Sequence, residues 1–339
     1  MMTIDLENHF ITEEWVDALL VNDGYPRLTE DKANGKWRLY YHADVFEPFG
    51  VMPRLLDLGE GRLQAMDAAG VDFAALSLTA PGCEQLDTVI GLRVARGSND
   101  TLAAAVDSHS DRYAGFAALY SKDVDGAVKE LERSVRELGL KGWKTHSNFG
   151  DSFLDEKRYW PILAKAEELD VPVYLHPAAP MNPELRTYGL ALAGAAFGFG
   201  IETATAMVRL ILAGAFDAFP RLQVILGHYG EGLPFLMQRI DHPFVRPYIK
   251  ADGAAVPDLE HPPSHYLRNN MWVSTSGNYL PAAFNCTREA LGMAKIVLGT
   301  DHPYEDMGEC MNFLQSLSLD GEEAAQLYQD NAAALGFTL

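Results

Sequence analysis

Residues 113–146 read YAGFAALYSKDVDGAVKELERSVRELGLKGWKTH, one full repeat of the pattern that decides the fold. Tyr113–Leu119 is a short apolar run of strand type. From Asp123 the period changes: Val124, Ala127, Val128, Leu131, Val135 and Leu138 recur near every 3.6 residues, with Lys129, Glu130, Glu132 and Arg133 on the other side. Gly139 is placed to end that helix, and Gly142–His146 resumes a strand. Strand, helix, strand is the unit that a parallel sheet requires, because a parallel neighbour is reached only through a crossover.

The unit recurs along the chain. Strand-like runs fall at Ile4–His9, Asp72–Leu78, Tyr113–Leu119, Gly142–His146, Val171–His176, Gln223–His228, Met271–Ser276 and Lys295–Asp301, with helix-like stretches between them. Eight such units predict an α/β fold, a (β/α)8 TIM-like barrel, in preference to a doubly wound open sheet. The 339 residues are read as a single barrel domain, 1–339. Two connections exceed plain loops. Residues 11–56 carry many aromatics among charges, glycines and prolines, and read as a lid or subunit-contact insertion after the first strand. Pro177–Glu202 is a second long insertion, after the fifth strand. A third stretch, Ile249–Asn270, reads as irregular.

Composition narrows the function classes. Hydrophobic residues are 48% and charged residues 22%, enough for a large core. The net charge of −20 repels nucleic acid and anionic membrane surfaces, so neither is expected as a partner. Cys83, Cys286 and Cys310 are odd in number and widely spaced, which suits reduced thiols. The first residues lack the pattern of a signal peptide, and the longest apolar stretch, Gly189–Ile201, falls short of the roughly 20 residues that span a bilayer. A cytoplasmic location is expected.

The strand ends carry the chemistry. Glu7 and His9 lie two apart and share a face, the fourth run ends at His146, the fifth at His176, the sixth at His228 and the eighth at Asp301. Taken singly, each histidine reads as an ordinary core or surface residue. In a barrel, however, the carboxyl ends of the strands converge at one mouth, and two carboxylates with two imidazoles suit a divalent ion with open positions.

The stretch VILGHYGEGLP at 224–234, with LGTDHPYE at 298–305, resembles the amidohydrolase superfamily. More narrowly it resembles the branch of non-oxidative decarboxylases of hydroxylated benzoates, such as γ-resorcylate and 5-carboxyvanillate decarboxylases. DLENHF at 5–10, MDAAGVD at 66–72, VPVYLHP at 171–177, FGFGIET at 197–203 and STSGN at 274–278 extend the likeness, while Ile11–Met52 does not match. The resemblance implies a barrel with one divalent ion, Mn²⁺ favoured and Zn²⁺ or Mg²⁺ as alternatives, and no organic cofactor. It implies Glu7, His9, His176 and Asp301 as ligands, and His228 with Glu231 as an acid/base pair beside them. Arg239 matches an arginine that reaches a neighbouring subunit's site, implying a homodimer or homotetramer. His146 and Arg186 are expected near the substrate, a small aromatic carboxylate whose phenolate would meet the ion while Asp301 or His228 protonates the ring carbon and CO2 leaves. Two other readings stay open: a metal-dependent hydrolase or hydratase acting on a lactone or other product of aromatic degradation, and a catalytically silent binding barrel.

Overall fold

Tyr113–Ala118 and Gly142–His146 are neighbouring parallel strands, joined by a helix at Val124–Arg136 whose N-terminus is capped by the Asp123 carboxylate on Gly126 N. The computed structural model describes residues 2–246, 248, 249 and 255–338. In chain order the strands are β1 Ile4–Phe10, β2 Arg27–Asp31, β3 Lys36–His42, β4 Val45–Pro48, β5 Phe73–Leu78, β6 Tyr113–Ala118, β7 Gly142–His146, β8 Val173–His176, β9 Val224–Leu226, β10 Met271–Ser274 and β11 Ile296–Val297. The large sheet runs β1-β5-β6-β7-β8-β9-β10-β11, every neighbour parallel and in sequence order. A doubly wound sheet would reverse that order midway; none occurs here. Past the short β11 the sheet closes on itself: Leu6 N donates to Leu298 O at 2.9 Å, Asp301 N to Glu7 O at 2.9 Å and His9 N to His302 O at 2.7 Å. The barrel is thereby continuous.

Inside it, Ile4, Leu6, Phe73, Phe116, Ile225 and Val297 form an apolar plug that Leu335 and Phe337 complete, with the Phe116 and Phe337 rings 4.9 Å apart. In β1 the pairing register shifts between Asp5 and Asn8. This bulge changes which residues face inward. Leu6 joins the interior plug, while Asp5 and Asn8 lie together, Asn8 Nδ2 donating to Asp5 Oδ2 at 2.9 Å.

The sequence reading carried the sixth and eighth runs through to His228 and Asp301, but β9 ends at Leu226 and β11 at Val297. His228 and Asp301 have φ of 52° and 60°, which takes the backbone out of the ladder. Helix Gly198–Leu212 begins inside the stretch read as the second insertion, Pro177–Glu202. Glycine is a poor helix former, so FGFG reads as loop, but at Gly198 a Cβ would stand 2.6 Å from the Ala193 carbonyl oxygen, and only glycine fits. In the stretch expected to be irregular, Pro263–Asn269 is a helix, and residues 250–254 lie outside the described residues. No helix among the described residues is long and apolar enough to cross a membrane.

The segment after β1 is a helix, Glu13–Leu20, followed by the antiparallel sheet β2-β3-β4. Thr12 caps that helix by accepting from Trp15 N at 3.1 Å. Trp15, Leu39, Val45 and Phe49 are buried in the same apolar cluster as the helices around the barrel. Strand alternation sends Leu39 and Tyr41 inward, leaving Tyr40 stacked on Phe46 at 4.9 Å on the outer side.

Candidate metal centre and its cavity

At the carboxyl mouth of the barrel, Glu7 and His9 on β1, His176 ending β8 and Asp301 after β11 each offer one donor atom, all within 4.8 Å of one another. Other elements fix their orientation. Glu7 Oε2 accepts from Ser274 Oγ on β10, while Glu7 Oε1 is buried with no hydrogen-bond partner. Leaving a buried carboxylate oxygen unmatched is costly, and a cation among these four groups removes that cost. His176 Nδ1 lies 3.1 Å from the Pro177 carbonyl oxygen and donates to it, leaving Nε2 as the donor atom. Burial, then neighbouring cationic groups led by Lys144, hold His176 well below the usual histidine range, the neutral form that ligates.

His9 Nδ1 has Lys144 Nζ at 3.1 Å and Ser77 Oγ at 3.3 Å. Burial brings the Lys144 ammonium down to about 7, and in its uncharged form the amine accepts from Nδ1–H and leaves Nε2 to face a ligand position. His9 Nε2 lies 2.8 Å from Asp301 Oδ1. Burial works to raise the Asp301 carboxyl, but the His228 and His9 rings beside it outweigh burial and hold it well below the usual range. Two carboxylates and two neutral imidazoles fit one divalent ion of the Mn²⁺, Zn²⁺ or Mg²⁺ kind.

After β9 the chain turns through five successive residues of positive φ, His228 to Gly232, of which His228, Tyr229 and Glu231 are not glycine. Such backbone costs of order 1–3 kcal/mol per non-glycine residue and persists where its surroundings hold it. Here Ser276 Oγ accepts from His228 N at 3.1 Å, and a Cβ on Gly277 would come within 2.8 Å of the His228 ring. The turn sets His228 Nδ1 2.7 Å from Glu231 Oε1 and Nε2 3.7 Å from Asp301 Oδ2. Burial alone would lower the imidazole, but Glu231 and Asp301 outweigh it and raise it well above its usual value. His228 therefore holds a proton at Nε2 beside the four donor groups.

A brace lies on the outer side of β1. The buried Arg62 guanidinium donates to Asn8 Oδ1 and to the carbonyls of His9 at 2.7 Å, Asp57 at 2.8 Å and Arg54 at 3.0 Å. Asp5 accepts from Thr300 N at 3.0 Å and from Thr300 Oγ1 at 2.6 Å, tying β1 to the residue before Asp301.

Above the cluster opens a cavity of about 590 Å³, its mouth included, walled by His176, His228 and Asp301 below and by Tyr41, Glu47 and Phe199 from the two insertions above. Tyr304, edge-on to His9 at 5.8 Å, and Thr79, 2.9 Å from its hydroxyl, close one side. Of the residues expected near the substrate, His146 is buried behind His176, ring centroids 5.9 Å apart, with Nδ1 3.2 Å from Glu84, and does not line the cavity. Arg186, at the end of the short helix Pro183–Arg186, does not line the cavity either. Arg239 is exposed on helix Leu233–Ile240. Sequence reasoning singled out neither Glu47, Glu84 nor Arg62, and touched Tyr41 and Ser274 only as members of longer stretches, with no role of their own. Arg62 alone left a trace, one turn before the buried Met66 on a helix face that should be apolar.

The family described as amidohydrolase matches residues 4–335. γ-Resorcylate decarboxylase of Polaromonas sp. strain JS666 is 34% identical over 345 residues, covering 98% of this chain and 97% of that protein. The crystal structure of 5-carboxyvanillate decarboxylase from Sphingomonas paucimobilis superposes with a TM-score of 0.87 at 32% identity, covering 98% of both chains. That of a dihydroxybenzoic acid decarboxylase from Polaromonas sp. JS666, with bound manganese and the inhibitor 2-nitroresorcinol, gives 0.82 at 32% identity, covering 98% of this chain and 96% of that one.

Proposed function

We propose the chemistry of this site from the premise that the chain belongs to the amidohydrolase family: it is a metal-dependent carboxy-lyase that removes CO2, without oxidation, from a hydroxylated aromatic acid. The observation that carries the reading is an imidazole standing at a ligand cluster, His228 with Nδ1 2.7 Å from Glu231 and Nε2 3.7 Å from Asp301. Glu7, His9, His176 and Asp301 are the ligands. A divalent ion held by them supplies a Lewis acid for a phenolate oxygen ortho to the substrate carboxylate.

The residues do the rest. In this reading the transferable proton sits on His228 Nε2, which faces the Asp301 carboxylate while Glu231 holds Nδ1. It passes to the ring carbon that bears the carboxylate. The carbon–carbon bond then breaks, its electron pair restores the aromatic ring, and CO2 departs. Glu231 orients the imidazole and supports its charged form. Tyr41, Phe199 and Tyr304 enclose the ring and exclude water.

Among the described residues, His228 is the only basic side chain that lines the cavity besides the ligand His176, and an anionic substrate calls for another cation. Arg239 of a second copy supplies it in this reading: Phe235 is 79% and Leu236 41% exposed on the same helix, an apolar face suited to a homodimer or homotetramer contact. Residues 11–56 act as lid within a single barrel domain, and the free thiols fit a cytoplasmic setting. The test is CO2 release on a panel of ortho-hydroxybenzoates with Mn²⁺ added. Release equal to substrate loss is expected. If every such acid is left intact while a lactone is opened, the hydrolase reading replaces this one.

A further inference from the structure

The antiparallel sheet after β1 sets one carboxyl group on the cavity wall. Glu47 on β4 pairs in register with Leu39 on β3, and Leu39 and Tyr41 alternate onto the same buried face. There the Tyr41 hydroxyl donates to Glu47 Oε1 at 2.7 Å, and the Tyr41 ring meets Phe199 edge-on at 5.6 Å. Tyr41 is thus gripped on both sides, and its one proton fixes the rotation of the Glu47 carboxyl. The other oxygen, Oε2, has no hydrogen bond to any described residue, and Glu47 lines the cavity. Asp301, Glu231 and Glu305 line it as well, with His228 opposing them.

A wall of this kind discriminates among ring substituents. A second carboxylate would meet four acidic groups. A methyl ether offers no proton to Oε2 and adds a methyl group. A hydroxyl fits by donating to Oε2 of the ionised carboxylate. An amino group donates in the same way.

We infer that Glu47, held by Tyr41, is a specificity-determining residue that receives a second O–H or N–H substituent on the substrate ring. The enzyme then selects dihydroxy- or aminohydroxybenzoates over the corresponding methyl ethers. The inference rests on the decarboxylase reading for its substrate and on the hairpin geometry for its residue. The experiment compares kcat/KM of the Mn²⁺-loaded wild type and of Glu47→Leu and Glu47→Gln on each dihydroxybenzoate and on its ether at the second oxygen. In the wild type at least one hydroxyl/ether pair should differ by about tenfold or more, as a buried partner left unpaired requires. Glu47→Leu should bring that ratio to about one, and so should Glu47→Gln, whose carbonyl oxygen takes the Tyr41 proton and leaves an NH2 donor facing the cavity. Equal rates on hydroxyl and ether in the wild type, or an unchanged ratio in Glu47→Leu, would overturn the inference. Dissociation constants for unreactive nitrophenols bearing a hydroxyl or a methoxy group read the same ratio without turnover. A protein that decarboxylates none of the acids therefore sinks the functional reading while the binding ratio still decides the role of Glu47.

Discussion

On the floor of the cavity each proposed ligand comes from a barrel strand or the loop that follows it, and each is gripped from another element or by its own backbone: Glu7 by Ser274, His9 by Lys144 and Ser77, His176 by the Pro177 carbonyl. On the roof, Tyr41, Glu47 and Phe199 come from two long connections and hold chiefly one another. The difference teaches a division of labour. Groups that must keep sub-ångström geometry are placed on the rigid barrel, whereas groups that choose a substrate sit where insertion and exchange are tolerated.

The first way to break this contrast is at the floor. Asp301→Asn removes a ligand charge and the partner of His228, and kcat should fall by more than ~10³-fold, with weaker Mn²⁺ binding by calorimetry. Turnover surviving within tenfold would mean that the floor is not where chemistry happens. His228→Asn separates acid from ligand: a fall of about 10²–10⁴-fold is expected with the metal content unchanged by elemental analysis. Arg62→Lys tests the outer brace, since a single ammonium cannot reach the four acceptors that the guanidinium reaches. We expect roughly 1–3 kcal/mol of lost stability on denaturant unfolding and a several-fold loss of Mn²⁺ affinity. A stability loss with unaltered affinity would confine the brace to folding. Smallest of all, His109→Asn, at the end of helix Thr88–Ser108 and away from the cavity, should leave kcat/KM within about twofold.

The same contrast explains what was legible in the sequence. Glu7, His9 and His176 could be read because strand period and strand ends are local patterns, and parallel order makes distant ends converge. His228 and Asp301 fell in the right neighbourhood, though positive φ, which no side-chain pattern announces, lifts them off the strands. Tyr41 and Glu47 were invisible as a pair. They meet through a bulged hairpin register, Tyr40 with Phe46 and His42 with Val45, that depends on tertiary packing. His146 shows the opposite limit: its strand-end position reads like the others, yet the buried Glu84, far away in sequence, draws its ring aside.

The bulge in β1 has an electrical consequence. Because Leu6 stays with the interior plug directly before Glu7, the charged cluster has hydrocarbon beneath it and the open cavity above. A medium of low permittivity below and one of high permittivity above cannot share field lines equally. The field of an ion at this cluster is pressed outward through the mouth, where it reaches an approaching anion before any side chain touches it.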